Sequence, residues 1–306
     1  MKVTFQYGTT ILLLLFSYNV LAQDFELIKI QSAYYPKQTI NESAVDGEIG
    51  FWEWNGQLAI PQLLKNEKTV LIHKLGYSNL RVDIEGSTAN ASAEATNYYH
   101  TISYTFTLVQ TLSPTWRLLL NANPTLASDF TESLNDEDLL FQASAIAMKT
   151  KSRKFKYGFG LAYTTRFGRQ LVIPTGMVQY KTEKMVLDML LPNKLSVMFN
   201  THQAVNFGLE AKLDGGLFNN NSEIQNVSTI IDKAGYSRLN IGPAITFKLQ
   251  DAIRVHLTGG MAVGRRLEFV DVAEETLDRT PENGPFFKVG LSFSPQAKNA
   301  GATLNN

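Results

Sequence analysis

Cysteine is absent from the 306 residues, so neither a disulfide nor a thiolate metal site can be built. Histidine is scarce, with only 4 residues to serve imidazole chemistry. Charge bias is missing too. The 28 Lys and Arg balance 28 Asp and Glu, which gives no global attraction to nucleic acid. A long apolar run is also lacking: the unbroken stretch Ile11 to Phe16 falls far short of the roughly 20 residues a helix needs to cross a bilayer.

That short run has another use. Lys2 precedes it, and Val20-Leu21-Ala22 follows with residues suited to the −3 and −1 positions of a secretory signal, with cleavage expected after Ala22. No Cys follows Ala22, which closes the lipoprotein route. The expected division is a signal peptide over 1–22, a barrel over 23–293 and a disordered polar tail over 294–306.

What is present in quantity is alternation with period two. In 98–112, Tyr98, Ile102, Tyr104, Phe106 and Leu108 share one face, and Tyr99, Thr101, Ser103, Thr105 and Thr107 the other. In 154–167, Phe155, Tyr157, Phe159, Leu161, Tyr163 and Phe167 alternate with Lys154, Lys156, Gly158, Gly160, Ala162, Thr164 and Arg166. Segments 204–217, 238–249 and 253–266 repeat the split. Soluble strands run about 5–6 residues, whereas a tilted membrane strand needs about 9–11. These segments reach the longer figure, and aromatics such as Trp52, Trp54, Tyr98, Trp116 and Phe167 collect toward the ends of the apolar faces. The pattern predicts an all-β protein, a transmembrane antiparallel up-and-down barrel of about 14 strands, with 12 possible if weak segments such as 25–35 do not span.

Connections agree. Long polar loops are expected at 86–97, 128–138, 219–234 and 269–284, and tight turns at Lys65–Lys68, Ser113-Pro114, Lys151–Arg153 and Gln250-Asp251. Such asymmetry places long loops outside and short turns in the periplasm. Reading Pro192-Asn193 as a turn between two short strands keeps the strand number even. The last strand, with Phe287, Val289, Leu291 and Phe293 on one face, resembles the signal read by the outer-membrane assembly machinery. That machinery and outer-membrane lipid are the expected partners, in the outer membrane of a Gram-negative bacterium.

Candidate chemistry is sparse. A hydrolase of the outer-membrane phospholipase kind would need Ser, His and an orienting polar group in reach. None of His73, His100, His202 and His256 has Ser two residues on; His256 with Thr258 comes nearest. Gly158-Phe159-Gly160 lacks the third Gly and the helix of a dinucleotide loop. Asp129, Glu132, Asp136, Glu137 and Asp138 lack the ligand spacing of a calcium loop and read as a solvated segment. No cofactor or metal is expected. On the polar faces, Lys154, Lys156, Arg166, Lys212, Arg238, Lys248, Arg254 and Arg266, with His256, outnumber Glu210, Asp214 and Glu268. These are the lumen-facing candidates. A basic interior could favour anionic solutes or pair with inward-folded acidic loops, and the sequence leaves both open.

Several short motifs go further: Leu112-Ser113-Pro114-Thr115-Trp116, Leu126-Ala127-Ser128-Asp129, Tyr157-Gly158-Phe159-Gly160-Leu161-Ala162-Tyr163, Ile173-Pro174 and Leu190-Leu191-Pro192. Through them the chain, from about Phe25 to Phe293, resembles a Bacteroidetes-type family of uncharacterised outer-membrane β-barrels, a domain of unknown function. The resemblance implies a barrel and supplies no substrate. The function expected is that of a non-enzymatic pore or carrier for small solutes or apolar molecules. The alternative is a structural or adhesive barrel that binds a partner through its loops.

Overall fold

The computed structural model describes residues 26–40, 46–88, 91–221, 231–249 and 252–295. The expected signal peptide with Ala22, the turn Gln250-Asp251 and most of the 294–306 tail lie outside the described residues. In chain order the strands are β1 (Ile28–Thr39), β2 (Asp46–Leu63), β3 (Thr69–Thr88), β4 (Ala91–Thr111), β5 (Trp116–Ser128), β6 (Leu139–Thr150), β7 (Phe155–Thr164) and β8 (Leu171–Lys181). They continue as β9 (Met185–Leu191), β10 (Lys194–Asn200), β11 (Val205–Asn219), β12 (Ile231–Lys248), β13 (Ile253–Asp271), β14 (Thr276–Asp278) and β15 (Gly284–Phe293).

Neighbours in sequence pair antiparallel from β1 to β13; β13 then pairs with β15, and β15 with β1, where Phe293 faces Ile28. The result is a closed antiparallel barrel of 14 strands, with β14 a short hairpin strand on the end of β13. At the height where all 14 strands pair, closure leaves no sheet edge, which is the condition for a sheet to stand in lipid. Both ends of the described chain lie at one rim together with the tight turns, here called the turn end. One of these shows how the sequence sets a turn: Ser113 Oγ accepts hydrogen bonds from the backbone N–H of Thr115 and Trp116, fixing the reversal around Pro114. The opposite rim is the loop end.

The outer face is apolar and fully presented: Leu75 is 56 % exposed, Leu161 59 % and Phe159 63 %. So much exposed bulk is costly in water and favourable in hydrocarbon. Aromatic pairs band it. Tyr34 meets Trp52 edge-on at 6.4 Å and Trp54 meets Tyr77 at 5.7 Å toward the loop end, while Trp116 carries the Lys149 ammonium at 5.3 Å at the turn end.

The wall is uneven in height. β9 and β10 have 7 residues each, and the last contact between their hairpin and β11 is the Leu213 N–H to the Asn193 carbonyl at 2.9 Å. Above that hairpin, β5 meets β11 directly, Ser128 opposite Asn219 in a parallel bridge, which bypasses β6–β10. The barrel therefore narrows from 14 strands to the ring of β1–β5, β11–β13 and β15. A ring of about 8 strands is just wide enough for side chains to fill it. Here they do: Tyr35, Ile49, Phe51, Val82, Tyr99, Phe218, Leu267, Phe269 and Phe286 form a buried cluster inside the loop half.

The gap over the β9–β10 hairpin is crossed by residues 165–170, which lie against the outer face of β11 and β12. A Cβ on Gly215 would stand 2.1 Å from the Arg166 carbonyl oxygen, and one on Gly235 2.5 Å from that of Gly168. Gly168 itself has a φ of +74°, a backbone state few other residues adopt. Three glycines make this crossing possible.

Several expectations change. The segment 86–97 is no long loop, because β3 and β4 continue as a tall hairpin to Thr88 and from Ala91. The weak segment 25–35 is largely strand, as β1. The lumen, left open between a basic interior and one plugged by acidic loops, is filled in its loop half by apolar side chains, because the wall narrows there; composition of single strands carries no trace of that narrowing. The acidic loop after β5 is partly buried. Asp138 is only 1 % exposed, in a capping box with Asn135 around the 3-10 turn Asp136–Asp138, and its Oδ1 accepts from Asn219 Nδ2 at 2.8 Å.

Candidate functional site

Below the apolar cluster the lumen is open, a cavity of about 910 Å³. Its wall follows from the polar phase of each strand. Thr101, Ser103, Thr105 and Thr107 on β4 point inward because Ile102, Tyr104 and Phe106 take the outer face. The cavity reaches the turn end at Glu26, Thr246 and His256, and its floor is Leu80, Ala127, Leu140, Phe218 and Tyr236. Floor residues such as Leu80 and Phe218 belong to the buried cluster itself. The molecule is thus a cup, closed toward the loop end.

At the floor sits a dense polar network. Arg238 is 1 % exposed, ion-paired with Glu53 and stacked at 3.6 Å over the Tyr35 ring. Tyr236 donates to the same Glu53 at 2.9 Å. Asp214 receives Lys212 at 2.5 Å, Asn240 at 2.9 Å and Lys288 at 3.4 Å. Each carboxylate here is held by several donors, the condition under which a buried charge is tolerated.

The sequence candidates fall into distinct places. Arg166, Glu210, Lys212 and His256 line the cavity. Arg238 is inward but sealed in the floor. Lys156 is on the inner phase of β7 near the turn end, and Lys248 and Arg254 face each other in register at the same rim. Lys154 lies in the exposed turn before β7. Arg266 is on the outer face, paired with Glu268 at 3.2 Å. The cause is a bulge: the β12–β13 register shifts between Ser237 and Leu239, opposite Gly264 at φ +57°, and one extra residue inverts the faces beyond it. Arg265 points inward in its place, over the Phe51 ring at 5.1 Å.

Other inward groups were not among the lumen-facing candidates. Lys74 and Lys288 sit in clean alternation, Lys74 between His73 and Leu75 and Lys288 between Phe287 and Val289, and that signal was sufficient to find them. Glu53, between Trp52 and Trp54, carried the same signal, whereas Tyr35, between Tyr34 and Pro36, carried none. A Ser–His contact also emerges across strands: His256 Nε2 lies 2.8 Å from Ser292 Oγ and 3.4 Å from Glu26 Oε1, with Nδ1 3.1 Å from Thr246 Oγ1. The carboxylate shares the nitrogen that faces the serine, whereas a triad needs it on the other one. Ser292 is also only 1 % exposed.

The family model described as a domain of unknown function (DUF6268) matches residues 62–295. The chain belongs to this family. The match begins at the end of β2, so β1 lies outside it. No curated protein matches. Among solved structures, an outer membrane channel from Pseudomonas putida F1 shares 9 % identity, with 90 % of this chain and 98 % of that one covered and a TM-score of 0.40. The NanC porin shares 7 % identity over 87 % and 99 % of the two chains, TM-score 0.36. The transport unit of the autotransporter AIDA-I from Escherichia coli shares 12 % over 94 % and 97 %, TM-score 0.38. The likeness is one of fold.

Proposed function

We propose that this member of the family is an outer-membrane carrier: a non-enzymatic barrel that takes a small polar solute from the periplasmic side and holds it under a closed outer half. The apolar outer face and the even strand number support the membrane placement, and the short turns favour a periplasmic turn end. One observation carries the carrier reading. The cavity reaches the turn end, while Tyr35, Phe51, Phe218, Phe269 and Phe286 fill the barrel above it. A steady pore needs a continuous wet path, and this cluster interrupts it.

Planar-bilayer recording tests the reading. The wild-type barrel is expected to be silent or to open rarely, and Phe218→Ala with Phe269→Ala is expected to raise conductance by thinning the cluster. Long-lived open channels from the wild type would make it a porin and overturn the carrier. A hydrolase reading rests on the His256–Ser292 contact; ester hydrolysis by the purified barrel that Ser292→Ala abolishes would establish it in place of the carrier.

A further inference from the structure

Six cations line the cavity, Lys29, Lys74, Arg166, Lys194, Lys212 and Lys288. Four are committed: Lys29 to Glu26 at 2.9 Å, Lys194 to Asp188 at 3.6 Å, and Lys212 and Lys288 to Asp214. Among the described residues, Lys74 and Arg166 have no carboxylate within ion-pair distance. They are close enough for their like charges to repel.

Strand register shows what lies between them. Lys74 faces Thr105 on β4, Thr105 Oγ1 donates to Asn123 Oδ1 on β5 at 3.2 Å, and Asn123 faces Gln142 on β6. Thr164 Oγ1 on β7 donates to Gln142 Oε1 at 3.2 Å, and Arg166 follows two residues on. One inner rung therefore runs from the Lys74 ammonium to Thr164, with Arg166, also on the cavity lining, two residues beyond it. Along it both amide oxygens accept from threonines. That orientation leaves the N–H₂ groups of Asn123 and Gln142 as donors without a partner among the described residues. Two free cations flanking two free amide donors, on one wall of a wet cavity, make a complete set of ligands for an oxyanion.

We infer that this rung is the binding seat for a water-soluble oxyanion, a small phosphate- or carboxylate-bearing solute that enters from the turn end. The inference rests on the carrier reading and names its substrate class. The bound anion sits between Lys74 and Arg166, cancels their repulsion and accepts from the two amides. The guanidinium fork suits two oxygens of one phosphate or carboxylate.

Calorimetric titration of the full-length barrel, purified in a non-ionic detergent free of anionic lipid, tests this with inorganic phosphate and citrate as probes. Binding is expected for the wild type, at least tenfold weaker for Lys74→Gln and for Arg166→Gln, and lost in the double variant. Asn123→Asp, close in shape and opposite in effect, is expected to weaken it as well, while Lys154→Gln in the exposed turn leaves it unchanged. Heat-modifiable migration on gels confirms that each variant is folded. Equal binding by wild type and double variant overturns the seat. Saturable binding of sucrose with none of either oxyanion overturns the substrate class and leaves the carrier standing. No binding of any probe together with steady conductance overturns both. An added arm supplies phosphatidylglycerol in the micelles: binding of that lipid with no response to the soluble probes overturns the assignment to a water-soluble solute.

Discussion

Leu161 and Ala162 are neighbours on β7 with opposite fates in a membrane barrel. Leu161 pairs with Ala145 and Pro174, stands on the outer face and is 59 % exposed. Ala162 pairs with Ser144 and Ile173 on the inner phase. An Arg on the lipid face near mid-membrane costs about 2–4 kcal/mol. At about 1.4 kcal/mol per factor of ten, that is roughly a 30- to 700-fold loss in the folded-to-unfolded ratio. Inward, the same side chain meets Ser144 and the polar lumen, where the charge can keep its water. Leu161→Arg is therefore expected to lower the urea midpoint for refolding into lipid vesicles, followed by tryptophan emission and gel mobility. Ala162→Arg should shift that midpoint far less. If Leu161→Arg is harmless while Ala162→Arg unfolds the protein, the apolar face is not in lipid and the faces are assigned inside out. If both are harmless in a chain that stays soluble without detergent, the membrane placement is wrong.

Removing the Arg238 side chain as Arg238→Met strands Glu53 in the floor, and should cost about 3–5 kcal/mol in the same urea assay; adding Glu53→Gln should recover part of it, and additive losses would show that the pair is not coupled. A Cβ at Gly160 would lie 1.9 Å from the Ala145 carbonyl oxygen, whereas one at Gly176 meets nothing within 4 Å. Gly160→Ala is thus expected to destabilise by about 1–3 kcal/mol and Gly176→Ala to be nearly neutral, with equal effects counting against the β6–β7 packing. A Glu-specific protease added to intact cells should cut after the exposed Glu274 or Glu275 and spare Glu67 and Glu183 in the turns, and the reverse pattern would invert the barrel. At the loop end, burial pushes the Asp138 carboxyl up, but hydrogen bonds from Asn219, Asn135 and Ser128 outweigh it and hold it below the usual range. Its contribution is then complete above the unfolded value of about 3.9 and fades as pH falls through the lower folded value, so Asp138→Asn should reduce stability at neutral pH and flatten the acid limb of the midpoint-against-pH curve.

Read alone, the chain determined the closed barrel. Period two is a property of the strand backbone, so Phe159, Leu161 and Tyr163 had to share a face whatever the rest of the molecule did. Reading Pro192-Asn193 as a turn set the parity, and parity with strand length led to about 14 strands with 12 left open; the pairing shows 14. Alternation alone also reached Glu210, Lys212 and His256 as lining residues, because each lies in an unbroken run, and it reached Arg166 just past the end of β7. It failed at Arg266, where one inserted residue at the Gly264 bulge reverses inside and outside, and no local pattern announces a bulge.

The cup itself was decided only in three dimensions. Whether a lumen is wet depends on the width of the ring at that height, and width depends on which strands stop early. β9 and β10 end low, β5 then finds β11, and the narrower ring brings Tyr99 against Phe218 at 5.1 Å, side chains 119 positions apart in sequence. The rung from Lys74 to Arg166 has the same origin. Its members come from β3 to β7 and the segment after β7, and register across four strand pairs, which no single strand encodes, puts Lys74, Thr105, Asn123, Gln142 and Thr164 on one rung, with Arg166 two residues beyond it. Alternation is local and can be read along the chain; height, width and register are set by pairing between segments distant in sequence.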